Sequence, residues 1–117
     1  MDPSWIDSAN DSQSDFPLGN LPFCIFRFNE VAAQVGVAIG DRILNLTRLA
    51  EVITLPCSES LNENSLNQLA AQPAERQRVL RAELIRLLED RPSRLRDDTE
   101  LVGQVLVDSK KVKFDFF

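Results

Sequence analysis

The sequence contains no histidine and no tyrosine, one tryptophan, one methionine and two cysteines. Without histidine, Ser-His and Cys-His nucleophile pairs and histidine-ligated metals are excluded from this chain. Cys24 sits in an apolar run and Cys57 in a polar one, without metal-ligand spacing, so both read as free thiols. Basic charge is also short. Thirteen Lys and Arg stand against eighteen Asp and Glu, a net charge of −5, which argues against a nucleic-acid partner. No apolar run approaches the length of a membrane span, so no membrane role is expected. Met1 to Ser14 is acidic and polar rather than basic and then apolar, so it is not a signal peptide, and a cytoplasmic location is the expectation. Carboxylates are plentiful but fall in no metal-ligand or paired-acid spacing. No catalytic residue, metal ligand or cofactor is therefore assigned to this chain. Repeats and low-complexity linkers are absent too, and 117 residues suit one domain with one core.

What is present is organised around Val35 to Leu46, VGVAIGDRILNL. Two apolar runs flank Gly40-Asp41. Glycine in the first central position accepts the positive φ of a type II′ turn, so the stretch predicts a tight hairpin with Gly40 and Asp41 as its structural turn. That register sets Ile39 opposite Arg42, Val37 opposite Leu44 and Val35 opposite Leu46. Strand alternation then puts Val35, Val37, Ile39, Leu44 and Leu46 on one core face. Gly36, Ala38, Ile43 and Asn45 make the other face, with little bulk at 36 and 38.

Before the hairpin, residues 1–15 form a polar arm in which Trp5 and Ile6 are the bulky apolar residues. Burying an indole is favourable enough to predict that Trp5 docks on the body. Residues 16–117 read as one domain. Phe23 to Phe28 is dense in aromatic and apolar residues and predicts a strand. After the hairpin, Thr47 is placed to cap a short helix carrying Leu49, Val52 and Ile53. Pro56 and the polar run Cys57 to Glu63 close it, and Ser65 or Asn64 caps the next. Pro73 opens a longer helix with Leu80, Leu84, Leu87 and Leu88 along one stripe, ended by Pro92. Seven arginines and three acids lie between Arg76 and Arg96; interleaved acids and missing aromatic partners favour a solvated helix face over an anion patch. Asp97 or Asp98 caps a helix through Leu101, Val105 and Leu106. Finally KKVKFDFF alternates as a strand, leaving Phe114, Phe116 and Phe117 as a possible domain interface.

Several of these segments together resemble the N-terminal domain of the fumarylacetoacetase family. They are Ser4-Trp5, Ser8-Ala9-Asn10, Asp15-Phe16-Pro17, Asn20-Leu21-Pro22-Phe23, the Gly-Val-Ala-Ile-Gly-Asp core of the hairpin, and Ser65-Leu66-Asn67 before an arginine-rich helix. Cys24 stands where the family commonly has glycine. The resemblance implies a small bent β-barrel of the Src-homology-3 type with peripheral helices, α+β in class. It also implies a parent enzyme that hydrolyses fumarylacetoacetate to fumarate and acetoacetate in tyrosine catabolism, as a homodimer with a divalent metal, Mg²⁺ or Ca²⁺. In that family the metal-binding carboxylates and the catalytic histidine lie in a C-terminal catalytic domain, the expected partner of this chain, so none is carried over here.

Strands are expected near 23–28, 34–39, 42–46 and 111–116, and helices near 48–53, 65–71, 74–89 and 98–106. The expected function is that of a non-catalytic structural or regulatory domain. The alternatives are a stand-alone small-barrel module gripping a peptide, which would need an aromatic-lined groove, and, less compatible with the charge, a nucleic-acid binder.

Overall fold

A computed structural model of the protein describes residues 3–11, 13–14, 16–27, 33–61, 67–90 and 92–116, with Asp115 and Phe116 as backbone only. The fold is α+β. Strands β1 (Phe23–Arg27), β2 (Gln34–Ile39), β3 (Arg42–Asn45), β4 (Leu106–Asp108) and β5 (Lys113–Phe116) form one antiparallel sheet in the order β4-β3-β2-β1-β5. Helices α1 (Leu46–Leu49), α2 (Ser58–Leu61), α3 (Asn67–Ala70), α4 (Ala74–Leu88) and α5 (Thr99–Val105) accompany it.

The hairpin has the expected register from Ile39 opposite Arg42 to Gly36 opposite Asn45, with Val37 opposite Leu44, but Leu46, expected opposite Val35, already opens α1. Its Val35, Val37, Ile39, Leu44 and Leu46 are fully buried in the main core, together with Leu80, Leu84, Leu87 and Leu88 of α4. Helix α4 is thus one amphipathic stripe laid against one face of the sheet.

The other face is also covered, by the sheet itself. Cys24, Phe26 and Ile43 form a second buried cluster, with Val107 of β4 and Phe114 of β5 packed on it. In a flat sheet those two edge strands would lie about 19 Å apart, at four strand spacings. They share one cluster because the sheet curls into a half-barrel. Gly36 allows the curl. A Cβ there would sit 2.8 Å from Ile43 Cγ2 and 3.0 Å from Phe26 Cε1. Side chains from β1 and β3 therefore meet over the bare backbone of β2.

Several boundaries differ from expectation for local reasons. Asn45, not Thr47, caps α1: its side chain accepts from the Arg48 N–H at 3.0 Å. The Thr47 hydroxyl instead donates to the Leu61 carbonyl at 2.6 Å and accepts from the Val35 N–H at 3.2 Å. The polar run after Cys57 contains the short helix α2, and Leu106, expected as the last residue of a helix, instead opens strand β4. It pairs with β3, Leu44 opposite Leu106. Asp98 caps α5, accepting from the Leu101 N–H at 3.1 Å. The caps proposed at Asn64 and Ser65, and the strand position of Phe28, lie outside the described residues.

Helix α4 ends at Leu88, whose carbonyl Pro92 has no N–H to meet, and the N-terminal arm takes up the open carbonyls instead. Trp5 Nε1 donates to the Leu87 carbonyl at 2.9 Å, while the Ser4 hydroxyl and the Trp5 N–H donate to Leu88 O at 2.7 and 3.2 Å. The Asp90 N–H donates back to Pro3 O at 2.8 Å. These bonds satisfy carbonyls that a helix end leaves open. Ser4 is buried and saturated: its hydroxyl also accepts from the Ile6 N–H, and its backbone exchanges two hydrogen bonds with Asn10. Ser4→Ala should cost about 1–2 kcal/mol, since it strips an acceptor from the buried Ile6 N–H. Urea titration measures this; a midpoint unchanged from wild type would show that the arm does not hold the helix end.

Candidate functional site

The chain converges on the Gly40-Asp41 turn. Gly40 has φ +57°, while Asp41 has no positive φ, the combination that separates a type II′ turn from type I′. Three segments clamp it. From the arm, the Ser8 hydroxyl donates to Asp41 Oδ1 at 2.7 Å and accepts from the Asp41 N–H at 3.0 Å. The Gly40 N–H donates to Phe16 O at 2.7 Å. From the end of β4, the Ser109 hydroxyl and N–H both donate to Asp41 O, at 2.9 and 3.1 Å. Beside the turn, a cavity of about 480 Å³ opens between Trp5, Asp41, Arg42, Val102 and Leu106.

The chemistry of this junction is that of a clamp. The Ser8 hydrogen bond, aided by Arg42 whose Nε lies 3.4 Å from Asp41 Oδ1, lowers the Asp41 pKa below its ordinary value. A carboxylate held in that way is a weaker base and a poor activator of the Ser8 hydroxyl that donates to it. Among the described residues no three His, Cys, Asp or Glu side chains converge as metal ligands. Cys24 and Cys57 are free and buried. Burial pushes the Cys24 thiol up to about 12 and raises that of Cys57, so neither is poised as a thiolate.

The arginines of α4 are largely engaged within the chain. Arg76 pairs with Glu59 at 2.8 Å, Arg78 with Glu75 at 2.7 Å, and Arg86 with Glu83. Arg81 does something the helical pattern did not signal. It lies half-buried over the Phe23 ring, 4.7 Å from its centroid, and donates to the carbonyls of Asn20 and Leu21. Burial lowers its pKa from the ordinary value. Leu21, with φ +35°, is thereby pinned where the chain enters β1.

Phe114 is half-buried on the second cluster, and β5 pairs with β1, Phe114 opposite Phe26. The side chain of Phe116 and the whole of Phe117 lie outside the described residues. No helix among the described residues is long and apolar enough to cross a membrane.

Comparison with known proteins identifies the family. Residues 19–116 match the family model described as fumarylacetoacetase N-terminal. The human fumarylacetoacetase is 37% identical over 103 residues, covering 84% of this chain and 24% of the human protein. The Caenorhabditis elegans fumarylacetoacetase is 34% identical over 99 residues, covering 80% of this chain and 24% of the nematode protein. The Arabidopsis thaliana fumarylacetoacetase is 30% identical over 104 residues, covering 84% and 24%. The chain thus spans about a quarter of the length of the curated relatives it matches. With a family match running from just before β1 to the end of β5, this chain belongs to the fumarylacetoacetase N-terminal family.

Proposed function

We propose that this chain serves as a non-catalytic N-terminal domain that supports, and helps to regulate, the catalytic part of a fumarylacetoacetase-type hydrolase. The observation that carries the reading is the family match over residues 19–116, which corresponds to about a quarter of each relative. In this reading the parent enzyme hydrolyses fumarylacetoacetate to fumarate and acetoacetate in tyrosine catabolism. It acts in the cytoplasm as a homodimer, and the C-terminal catalytic domain holds the divalent metal, Mg²⁺ or Ca²⁺. The curled sheet is then a barrel of the Src-homology-3 type, and strand β5 with Phe114, Phe116 and Phe117 faces the catalytic domain. Carbon–carbon hydrolysis of this kind needs a polarising cation and a group to activate water. A chain with no histidine and a clamped, hydrogen-bonded Asp41 fits a supporting role better than a chemical one.

Two measurements test this. The purified chain should be inert toward fumarylacetoacetate with either Mg²⁺ or Ca²⁺ added. Grafted in place of the corresponding N-terminal segment of the human enzyme, the 117-residue chain should sustain turnover, while deletion of that segment should abolish it together with soluble dimer. Turnover by the isolated chain that a chelator removes would refute the non-catalytic assignment. A deletion enzyme with unchanged activity and melting temperature would refute the supporting one.

A further inference from the structure

All three lysines of this acidic chain fall within four positions, 110, 111 and 113. Lys110 and Lys111 sit in the 3-10 turn Ser109–Lys111, and Lys113 opens β5 directly opposite Arg27 of β1. The four cations surround a cleft of about 480 Å³ floored by Val112. The cleft is anchored. The Asp108 carboxylate accepts from the Lys110 N–H at 2.9 Å, which fixes the turn, and Val112 packs against the second buried cluster.

Like charges directly opposite on paired strands repel, so Arg27 beside Lys113 is unfavourable unless something anionic lies between them. Elsewhere the chain supplies its own counter-charges: Arg42, Arg48, Arg76, Arg78, Arg86 and Arg96 each have a carboxylate within ion-pair distance. The side chains of Arg27, Lys110, Lys111 and Lys113 have none among the described residues. In a molecule with five excess negative charges, four cations gathered around one cleft, with no ion-pair partner among the described side chains, mark a local reversal of sign.

We propose that this cleft binds a small oxyanion carrying two or more negative charges, either a polycarboxylate or a phosphate compound, through Arg27, Lys111 and Lys113. Arg27 offers a planar fork of donors suited to a carboxylate or phosphate edge, and the lysines supply point charges around it. The volume suits a small molecule. Because the groups are exposed, binding weakens steeply as salt rises.

The test is a titration of the isotopically labelled 117-residue chain with pyrophosphate and, separately, with citrate, at fixed low ionic strength. Chloride at matched ionic strength is the control. At least one of the two should give saturable amide shifts confined to Arg27 and residues 110–113; the stronger of the two identifies the source class. Lys111→Gln/Lys113→Gln should weaken that binding at least tenfold, as should Arg27→Gln, whereas Arg78→Gln, an equal charge change on α4, should leave it unchanged. All these side chains are exposed, and an unaltered circular dichroism spectrum confirms the fold of each variant. Shifts that rise linearly without saturation, or that survive in both cleft variants, would overturn the proposal. Tighter binding of a poly-glutamate peptide than of either small anion would overturn it in favour of an acidic protein surface.

Discussion

Gly40→Val is expected to destabilise the fold by about 2–6 kcal/mol, the sum of about 1–3 for a strained backbone and about 1–3 for overpacking. Two effects act at the same position. The φ of +57° penalises any Cβ. A Cβ would also lie 2.2 Å from Ser8 Oγ and 2.7 Å from the Ala9 backbone nitrogen. The Ser8 side chain could rotate away, but Ala9 belongs to the 3-10 turn Asp7–Asn10 and is buried. Each kcal/mol of that loss lowers the melting temperature by about 3–6 °C in a domain of this length. The way it fails is also specific. Relief of the clash requires the arm to lift, so Trp5 should leave its bond to Leu87 and its emission should shift to the red before global unfolding. Gly40→Ala should show most of the same loss, because the first added carbon already meets Ala9. If Gly40→Val melts within a degree or two of wild type, the turn does not have this geometry.

Gly36→Val is the second large effect, at about 3–4 kcal/mol, toward the upper end of what overpacking costs. Here the backbone φ is unremarkable for a strand, and the penalty is contact alone. Besides Ile43 and Phe26, the new Cβ would approach the Leu44 carbonyl oxygen at 2.9 Å, and that group cannot rotate away. The substitution would therefore press on β3 and flatten the curl. Coupling provides the check. Ile43→Ala alone should cost about 2–5 kcal/mol as a core truncation. Combined with Gly36→Val it should cost clearly less than the sum, since each change relieves the other. Strict additivity in chemical denaturation would mean that Ile43 does not pack over β2.

The parts of this fold that could be read from the sequence are those where one local rule suffices. Alternation and a Gly-Asp turn set the hairpin register and its core face. A one-sided leucine stripe set α4, and an Asp cap set the start of α5. The parts that could not be read depend on partners far away in the chain. Thr47 looks like a cap because it precedes a helix, yet its hydroxyl bridges Val35 and Leu61. Leu106 continues an apolar helical pattern, but pairing with Leu44 turns it into strand. Arg81 lies off the apolar stripe and reads as solvated, until the Asn20 and Leu21 carbonyls arrive beneath it. Low bulk at Gly36 and Ala38 was visible, but not that it lets two strands close over a third. At the candidate site, Gly40 and Asp41 were legible as a turn. The clamping roles of Ser8 and Ser109 were not, because serines in polar stretches carry no spacing signal for a distant partner. The basic cleft was hidden for the same reason: Arg27 joins the lysines only through the β1–β5 pairing.

The bonds that seal the end of α4 also bear on how the chain comes to be folded. Ser4 and Trp5 reach partners 84 and 82 residues downstream, and β1 gains its second neighbour only when β5 arrives. Distant pairings of this kind slow folding, because loop closure must precede any reward from contact. During synthesis the chain emerges from its first residue onward. The hairpin and its pairing with β1 can form early, but the arm must wait for Leu87 and Leu88, and one flank of β1 must wait for Lys113–Phe116. Over that interval the unpaired flank of β1, bearing Cys24 and Phe26, is the part of the nascent chain most open to sticking to a neighbour.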